Sequence, residues 1–161
     1  MIPLQATIIP IFVLISRLGL ADTHAALIVP AWPTAFGTFL LRQYFLTIPN
    51  EFEEAALIDG AGQWRIFRSI YLPLAAPALA ILAILAFNGY WNEFFRPLIF
   101  LATPEKFTLP VGVVTLAGYM GSGSISVVLA GVVLSLLPVL GVYLVGQQYL
   151  IKGIIMGGIK G

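Results

Sequence analysis

Cysteine is absent from the 161 residues, which excludes disulfides, thiolate zinc sites and cysteine nucleophiles while leaving the redox compartment open. Histidine occurs once, at His24, so a metal site would have to rest on carboxylates, and these mostly gather in a single loop. Near a predicted helix start, His24 reads as an interfacial or hydrogen-bonded residue rather than a functional one. Charge is scarce: 8 Lys and Arg stand against 7 Asp and Glu, giving a net charge of +1. That balance leaves no basic surplus to neutralise phosphates and excludes nucleic acid as a partner. No Walker A motif is present and no Lys follows a Gly, so any energy from ATP must enter through another subunit. A hydrolase constellation is missing as well, since "GSGS" at 121–124 lacks the G-x-S-x-G spacing.

What the chain does have is oil. Hydrophobic residues make up 60% of it and the mean hydropathy is +1.00, values of a membrane protein. The opening "MIPLQATIIPIFVLISRLGL" has neither a basic n-region nor a small-residue cleavage site, and so reads as a spanning segment rather than a signal peptide. Its abrupt start suggests an internal methionine of a longer chain. Crossing the hydrocarbon takes about 20 helical residues, and four stretches qualify: 3–20, 25–47, 72–100 and 124–150. The expected fold is therefore all-α, a polytopic transmembrane helical bundle in one domain. Pro30 and Pro33 in the second stretch and Pro73 and Pro77 in the third kink or start helices, which a bundle tolerates. The third turns polar at Asn88, Asn92 and Glu93, so its helix is expected to end or bend near Trp91, with "RPLIFLATPEKF" surface-lying or re-entrant. Placing residues 48–71 and the C-terminal tail on one side gathers Arg42, Arg65, Arg68, Lys152 and Lys160 there, against Arg17, Arg96 and Lys106. The positive-inside rule makes the first side cytoplasmic.

Between the second and third stretches lies "EFEEAALIDGAGQWRIFRSIYLP", residues 51–73, the most polar part of the chain. Asn50 is a good N-cap and Glu53 sits three positions on, the spacing of a capping box, so a helix is expected over 51–59. Gly60 supplies its stop. A second helix over 62–71 is expected to end before Pro73. Winding the first at 100° per residue puts Phe52, Ala55 and Ala56 on one face, with Leu57 and Ile58 opposite and Glu54 between. Apolar residues on both faces suit a helix that packs its own membrane domain on one side and a separate protein on the other; a solvated loop that merely stays out of the bilayer is the alternative.

The same residues spell a pattern: E-A-A, three residues, G, nine residues, I, any residue, L-P, met by Glu54, Ala55, Ala56, Gly60, Ile70, Leu72 and Pro73. It resembles the cytoplasmic signature of ABC importer permeases. "FGTFLLRQYF", "WNEFFRPLIFL", "TLPVGV" and the "GQQYLIKGIIMGGIKG" ending are similar to the carbohydrate branch, the maltose-type permeases. The resemblance implies a multi-pass subunit of the bacterial inner membrane with about six helices, of which about four are expected here. It binds no cofactor of its own and hydrolyses no ATP. Residues 48–71 become its coupling loop, seated on an ATP-hydrolysing subunit. The implied ATPase-coupling residues are Glu54, Ala55, Ala56, Asp59, Gly60, Ile70, Leu72 and Pro73. The other implied partners are a second related permease, an extracytoplasmic substrate-binding protein and membrane lipid.

Two further groups keep two readings each. Asn88, Tyr90, Trp91, Asn92 and Glu93 are residue types that hold sugars by stacking and hydrogen bonding, but they also cap helices and anchor them at the interface. The loop "TLAGYMGSGSIS", residues 115–126, is expected outside; by resemblance Tyr119 and Met120 would contact the binding protein, and a plain connector is the alternative. A channel or secondary transporter would be favoured by ionisable residues in mid-span, whereas Arg42 and Glu93 fall near span ends. The ladder Gly153, Gly157 and Gly161 lies in a polar-ended tail and reads as tail packing.

Overall fold

The computed structural model describes residues 4–32, 34–118 and 123–158, and every regular element among them is helical. The chain forms two compact units: Met1–Pro33 with Asn88–Gly141, and Thr34–Phe87 with Val142–Gly161.

The first unit begins with α1 (Leu4–Arg17), an apolar helix that carries Pro10 inside it. At 14 residues it is about 21 Å long, short of the hydrocarbon thickness. It stops at Gly19 (φ +71). There the Gly19 amide donates to Ser16 O and the Leu20 amide to Ile15 O, both at 3.1 Å, the two bonds of a Schellman ending. After the loop comes α2 (Ala25–Ala31). Much later in sequence, α8 (Phe95–Phe100) buries Arg96, Pro97 and Phe100. Ile8, Ile15, Ala26 and Phe100 form the core, and the Phe12 and Phe100 rings lie 5.5 Å apart. The expectation of a surface-lying or re-entrant "RPLIFL" is corrected in part: Pro97, Phe100 and Leu101 are buried and close the core that α1 and α2 leave open, while Leu98 and Ile99 stand exposed. A 3₁₀ turn at Pro104–Lys106 leads to α9 (Leu109–Leu116), a helix that lies between the expected third and fourth spans. Gly131 lets the following helix lie against Val113 and Leu116 of α9, where an added Cβ would stand 3.3 Å from each.

That helix, α10 (Ile125–Gly158), runs on into the second unit. Its 34 residues span about 51 Å, and the tail expected to be separate from the fourth span continues it. By length and composition, α10 is the one helix among the described residues able to cross a bilayer unaided. Leu129, Val133, Leu134 and Leu137 stand exposed along it, the pattern of a helix whose surroundings are hydrocarbon or another subunit.

In the second unit α3 (Ala35–Phe45) starts at Thr34, whose Oγ1 accepts from the Gly37 amide at 3.1 Å. Residues 51–91 then form α4 (Glu51–Ile58), α5 (Gln63–Ile66), a π-helical turn (Phe67–Tyr71), α6 (Leu72–Leu74) and α7 (Ala76–Trp91). The helix expected to stop before Pro73 passes through it. In the π turn the Leu72 amide reaches back to Phe67 O, which widens the coil beneath the proline ring and removes the clash that would end an α-helix there. The break comes at Ala75 instead, where the axis turns by 70° between Gln63–Leu74 and Ala76–Trp91. Helix α7 then ends at Trp91. Gly146 of α10 meets α7 so closely that an added Cβ would stand 2.5 Å from Ile84 Cδ1.

Candidate functional site

Helix α4 is favoured by its own sequence, with Glu51, Glu53 and Glu54 in the first turn, where carboxylates complement the positive end of the helix dipole. The capping box is not formed. Asn50 has helical torsions (φ −66, ψ −21) and makes no side-chain cap bond, because a residue already wound into the helix points its side chain away from the amides it would cap. Glu53, expected to reach back to Asn50, instead accepts a hydrogen bond from the Tyr71 hydroxyl at 2.6 Å through Oε2. That bond, reinforced by burial and by the carboxylate's charge, pushes the Tyr71 phenol above its ordinary pKa.

The helix ends at Gly60 as expected, with φ +75. The Gly60 amide donates to Leu57 O (3.0 Å) and the Ala61 amide to Ala56 O (2.9 Å), again a Schellman ending. The inward face differs from the one the helical wheel gives. Ala56 is buried and Glu53 half-buried, while Phe52 and Ala55 are exposed. Glu53, bonded to Tyr71, takes the inward place that the wheel gives to Phe52 and Ala55. Outward stand Phe52, Leu57 and Ile58, the last 87% exposed, and Trp64 of α5 stacks at 5.6 Å on Phe67. Glu54, Asp59, Arg65 and Arg68 are exposed and make no ion pair among the described residues. Of the remaining signature residues, Ile70 is half-buried, and Leu72 and Pro73 are exposed beside the bend. Ile66, 3% exposed, seats α5; its burial depends on what α5 packs against and no spacing in the sequence marks it. A groove of about 830 Å³ runs alongside, lined among others by Thr38, Arg42, Phe45, Phe67 and Tyr71.

The group at the end of α7 is brought together but committed to local partners. Tyr90 Oη donates to Ala31 O at 2.8 Å, and Trp91 Nε1 to Ser135 O at 3.0 Å. Asn92 Nδ2 donates to Asn88 O (2.8 Å) and Oδ1 (3.1 Å), closing the helix end. Glu93 pairs through both oxygens with Arg96, which is 7% exposed and lies 5.7 Å from the Tyr90 ring centroid. The five residues thus spend these groups on contacts within their own unit. Tyr119 and Met120 lie outside the described residues.

A polar cluster that the sequence gives no sign of joins the α1–α2 loop to the segment after α8. Asp22, with φ +56, accepts at Oδ1 from the amides of Ala102 (2.8 Å) and Thr103 (3.0 Å). Its Oδ2 accepts from the Thr103 hydroxyl and from Lys106 Nζ (2.9 Å). Lys106 Nζ also donates to Asp22 O at 2.7 Å, and His24 Nε2 lies 3.2 Å from Lys106 O. The Thr103 hydroxyl and amide, then Lys106 and the Ala102 amide, hold the Asp22 carboxyl far below the usual carboxylate range. The partners are some 80 residues apart, beyond any motif. Among the described residues no three of His, Cys, Asp and Glu are grouped to hold a metal.

Residues 1–154 match the family model described as the binding-protein-dependent transport system inner membrane component. The chain is 40% identical over all of its 161 residues to the arabinooligosaccharides transport system permease protein AraQ of Halalkalibacterium halodurans, covering 57% of that protein. It is 33% identical to the sn-glycerol-3-phosphate transport system permease protein UgpE of Yersinia enterocolitica, over 96% of this chain and 56% of that one. Among solved structures, a bacterial ABC transporter involved in the import of the acidic polysaccharide alginate matches with a TM-score of 0.79 and 35% identity, over 88% of this chain and 55% of that one. The chain thus spans a little over half the length of the relatives it matches.

Proposed function

The chain belongs to the family of binding-protein-dependent transport inner membrane components, and from that premise we propose that it forms part of the translocation pathway of an ATP-driven importer and couples to a separate ATPase through residues 48–71. In this reading the loop faces the cytoplasm and the subunit is a multi-pass protein of the bacterial inner membrane. It pairs with a second, related permease and receives its solute from an extracytoplasmic binding protein. The observation that carries the coupling role is α4 itself. Phe52, Leu57 and Ile58 stand uncovered beside the charges of Glu54 and Asp59, which form no ion pair among the described residues, as a docking surface awaiting a partner with basic residues would. Ala55, Gly60, Leu72 and Pro73 line the exposed side of the same segment.

The proposed cargo is a sugar or oligosaccharide, as the relatives named for arabinooligosaccharides and alginate suggest. The relative named for sn-glycerol-3-phosphate supports a second reading, a non-sugar but hydroxyl-rich solute. The coupling role is tested with Glu54→Lys in the full-length permease reconstituted with its partners. Placing a positive charge against a basic partner lowers ATPase co-purification by about tenfold or more. Full co-purification with full substrate-stimulated ATP hydrolysis rejects the docking role. Uptake of labelled solutes by the same vesicles decides the cargo, and exclusive uptake of amino acids or inorganic ions rejects the carbohydrate assignment.

A further inference from the structure

Tyr71 stands where three elements of the second unit meet. Its hydroxyl donates to Glu53 Oε2 of α4 at 2.6 Å, and its ring meets Phe45 of α3 edge-on at 5.9 Å. Its backbone closes the π-helical turn, four residues before the 70° break at Ala75. Along the chain, α4 reaches this hinge only through Gly60 and the extended Gly62. An added Cβ at Gly60 would meet nothing within 4 Å, so that connection is an open pivot. A helix held by one pivot swings under load and leaves the next segment at rest. A second attachment away from the pivot turns the same load into displacement of the segment it is fastened to. Glu53 lies seven residues before Gly60, near the opposite end of α4, so its bond to Tyr71 is an attachment farther from the pivot than the buried Ala56. The π turn supplies the compliance, since its i→i−5 bonding is the weak step in an otherwise α-helical run and such bulges recur where helices must adjust.

We propose that Tyr71, through its hydrogen bond to Glu53, is the positioning residue that converts movement of α4 into movement of the hinge at the start of α7. This rests on the coupling role proposed above for residues 48–71. Glu54 and the exposed apolar side chains hold the partner; Glu53, one residue earlier and turned inward, passes the movement on. Docking and transmission are therefore separable in adjacent carboxylates.

The test uses the full-length permease reconstituted in vesicles with its ATPase, second permease and binding protein, and reads solute imported per ATP hydrolysed alongside ATPase co-purification. Tyr71→Phe keeps the ring and its contact with Phe45 and removes only the hydroxyl. The expected result is a fall in import per ATP of about threefold or more, the scale on which one charge-assisted hydrogen bond matters, with co-purification unchanged. Glu53→Gln retains a carbonyl oxygen that accepts from the hydroxyl without the charge, and its ratio falls between wild type and Glu53→Ala. Glu53→Ala falls as far as Tyr71→Phe, and the double variant Glu53→Ala/Tyr71→Phe falls no further. A wild-type ratio in Tyr71→Phe overturns the proposal, as does a Glu53→Gln ratio as low as that of Glu53→Ala. Should Tyr71→Phe assemble poorly, the Gln and Ala variants of Glu53 make the same decision. Retention of the ATPase by Glu54→Lys in the same vesicles removes the docking premise, and the proposal with it, a failure distinct from the loss of the tie alone.

Discussion

The chain leaves a helix at Gly19 and again at Gly60 with nearly the same backbone, φ +71 and +75, and with the same pair of amide bonds to the preceding turn. Beyond these glycines the two loops part. After Gly19, Asp22 spends both carboxylate oxygens and its own carbonyl on Ala102, Thr103 and Lys106. After Gly60 come Arg65 and Arg68 without ion pairs among the described residues, and Trp64 73% exposed. A loop whose carboxylate is matched at both oxygens within the chain gains definition from it. A loop that leaves charges unpaired and aromatic surface uncovered is incomplete alone, and the contacts that would complete it lie on another molecule.

The comparison can be broken most severely at the corner after α7, in the same unit as the Asp22 loop. Glu93→Gln leaves the Arg96 guanidinium buried without its carboxylate, a change that costs about 3 kcal/mol. Thermal unfolding of the detergent-solubilised full-length protein is expected to show the largest drop of the set. A melting temperature within a degree of wild type would mean that Arg96 finds water and that this unit is less closed than its contacts indicate.

The glycine pair comes next. Gly19→Val and Gly60→Val each force a β-branched residue into the left-handed region, at about 1–2 kcal/mol, and neither added Cβ meets an atom within 4 Å. The two variants are expected to lose similar stability. Only Gly60→Val is expected to lower substrate-stimulated ATP hydrolysis, because only that turn sets α4 against the π turn. Equal loss of stimulation in both would erase the functional difference between the loops.

The smallest effect is the dependence on acid. The Asp22 carboxyl is held below its ordinary value, so its contribution is present in full above the unfolded carboxylate pKa of about 3.9 and is lost only as pH falls through the lower folded value. Asp22→Asn turns an amide –NH₂ toward Lys106 and Thr103, which are themselves donors. Its destabilisation relative to wild type is expected to be constant between about pH 5 and 7 and to shrink below about pH 4. A gap that already closes by pH 5 would show that the clasp does not hold the carboxylate.

Several features were legible because they depend on neighbours in sequence. The stop at Gly60 follows from glycine's access to positive φ, and the end of α7 at Trp91 follows from the polar run that begins at Asn88. The signature residues 54–73 led to the family that the match over residues 1–154 then established. The capping box was misjudged for a definite reason. Spacing shows that Glu53 can reach Asn50, but it cannot show that Tyr71, 18 residues on, offers the carboxylate a better partner. Pro73 misled in the same way, since a proline ends an α-helix but is accommodated above a π turn, and the turn is visible only in the backbone.

Composition and local pattern by themselves determined that the chain is helical, that it is built for a membrane, and that residues 51–73 are set apart from the rest. These are consequences of hydropathy, helix period and glycine torsion, each acting over a few residues. Tertiary structure alone decided which carboxylates are spent. Asp22 is consumed in a clasp, Glu93 in a buried pair and Glu53 in a tie to Tyr71, while Glu54 makes no ion pair among the described residues. The physical reason is that a carboxylate's role depends on the donors within about 3 Å of it, and the folded chain brings those donors from residues as many as 84 positions away.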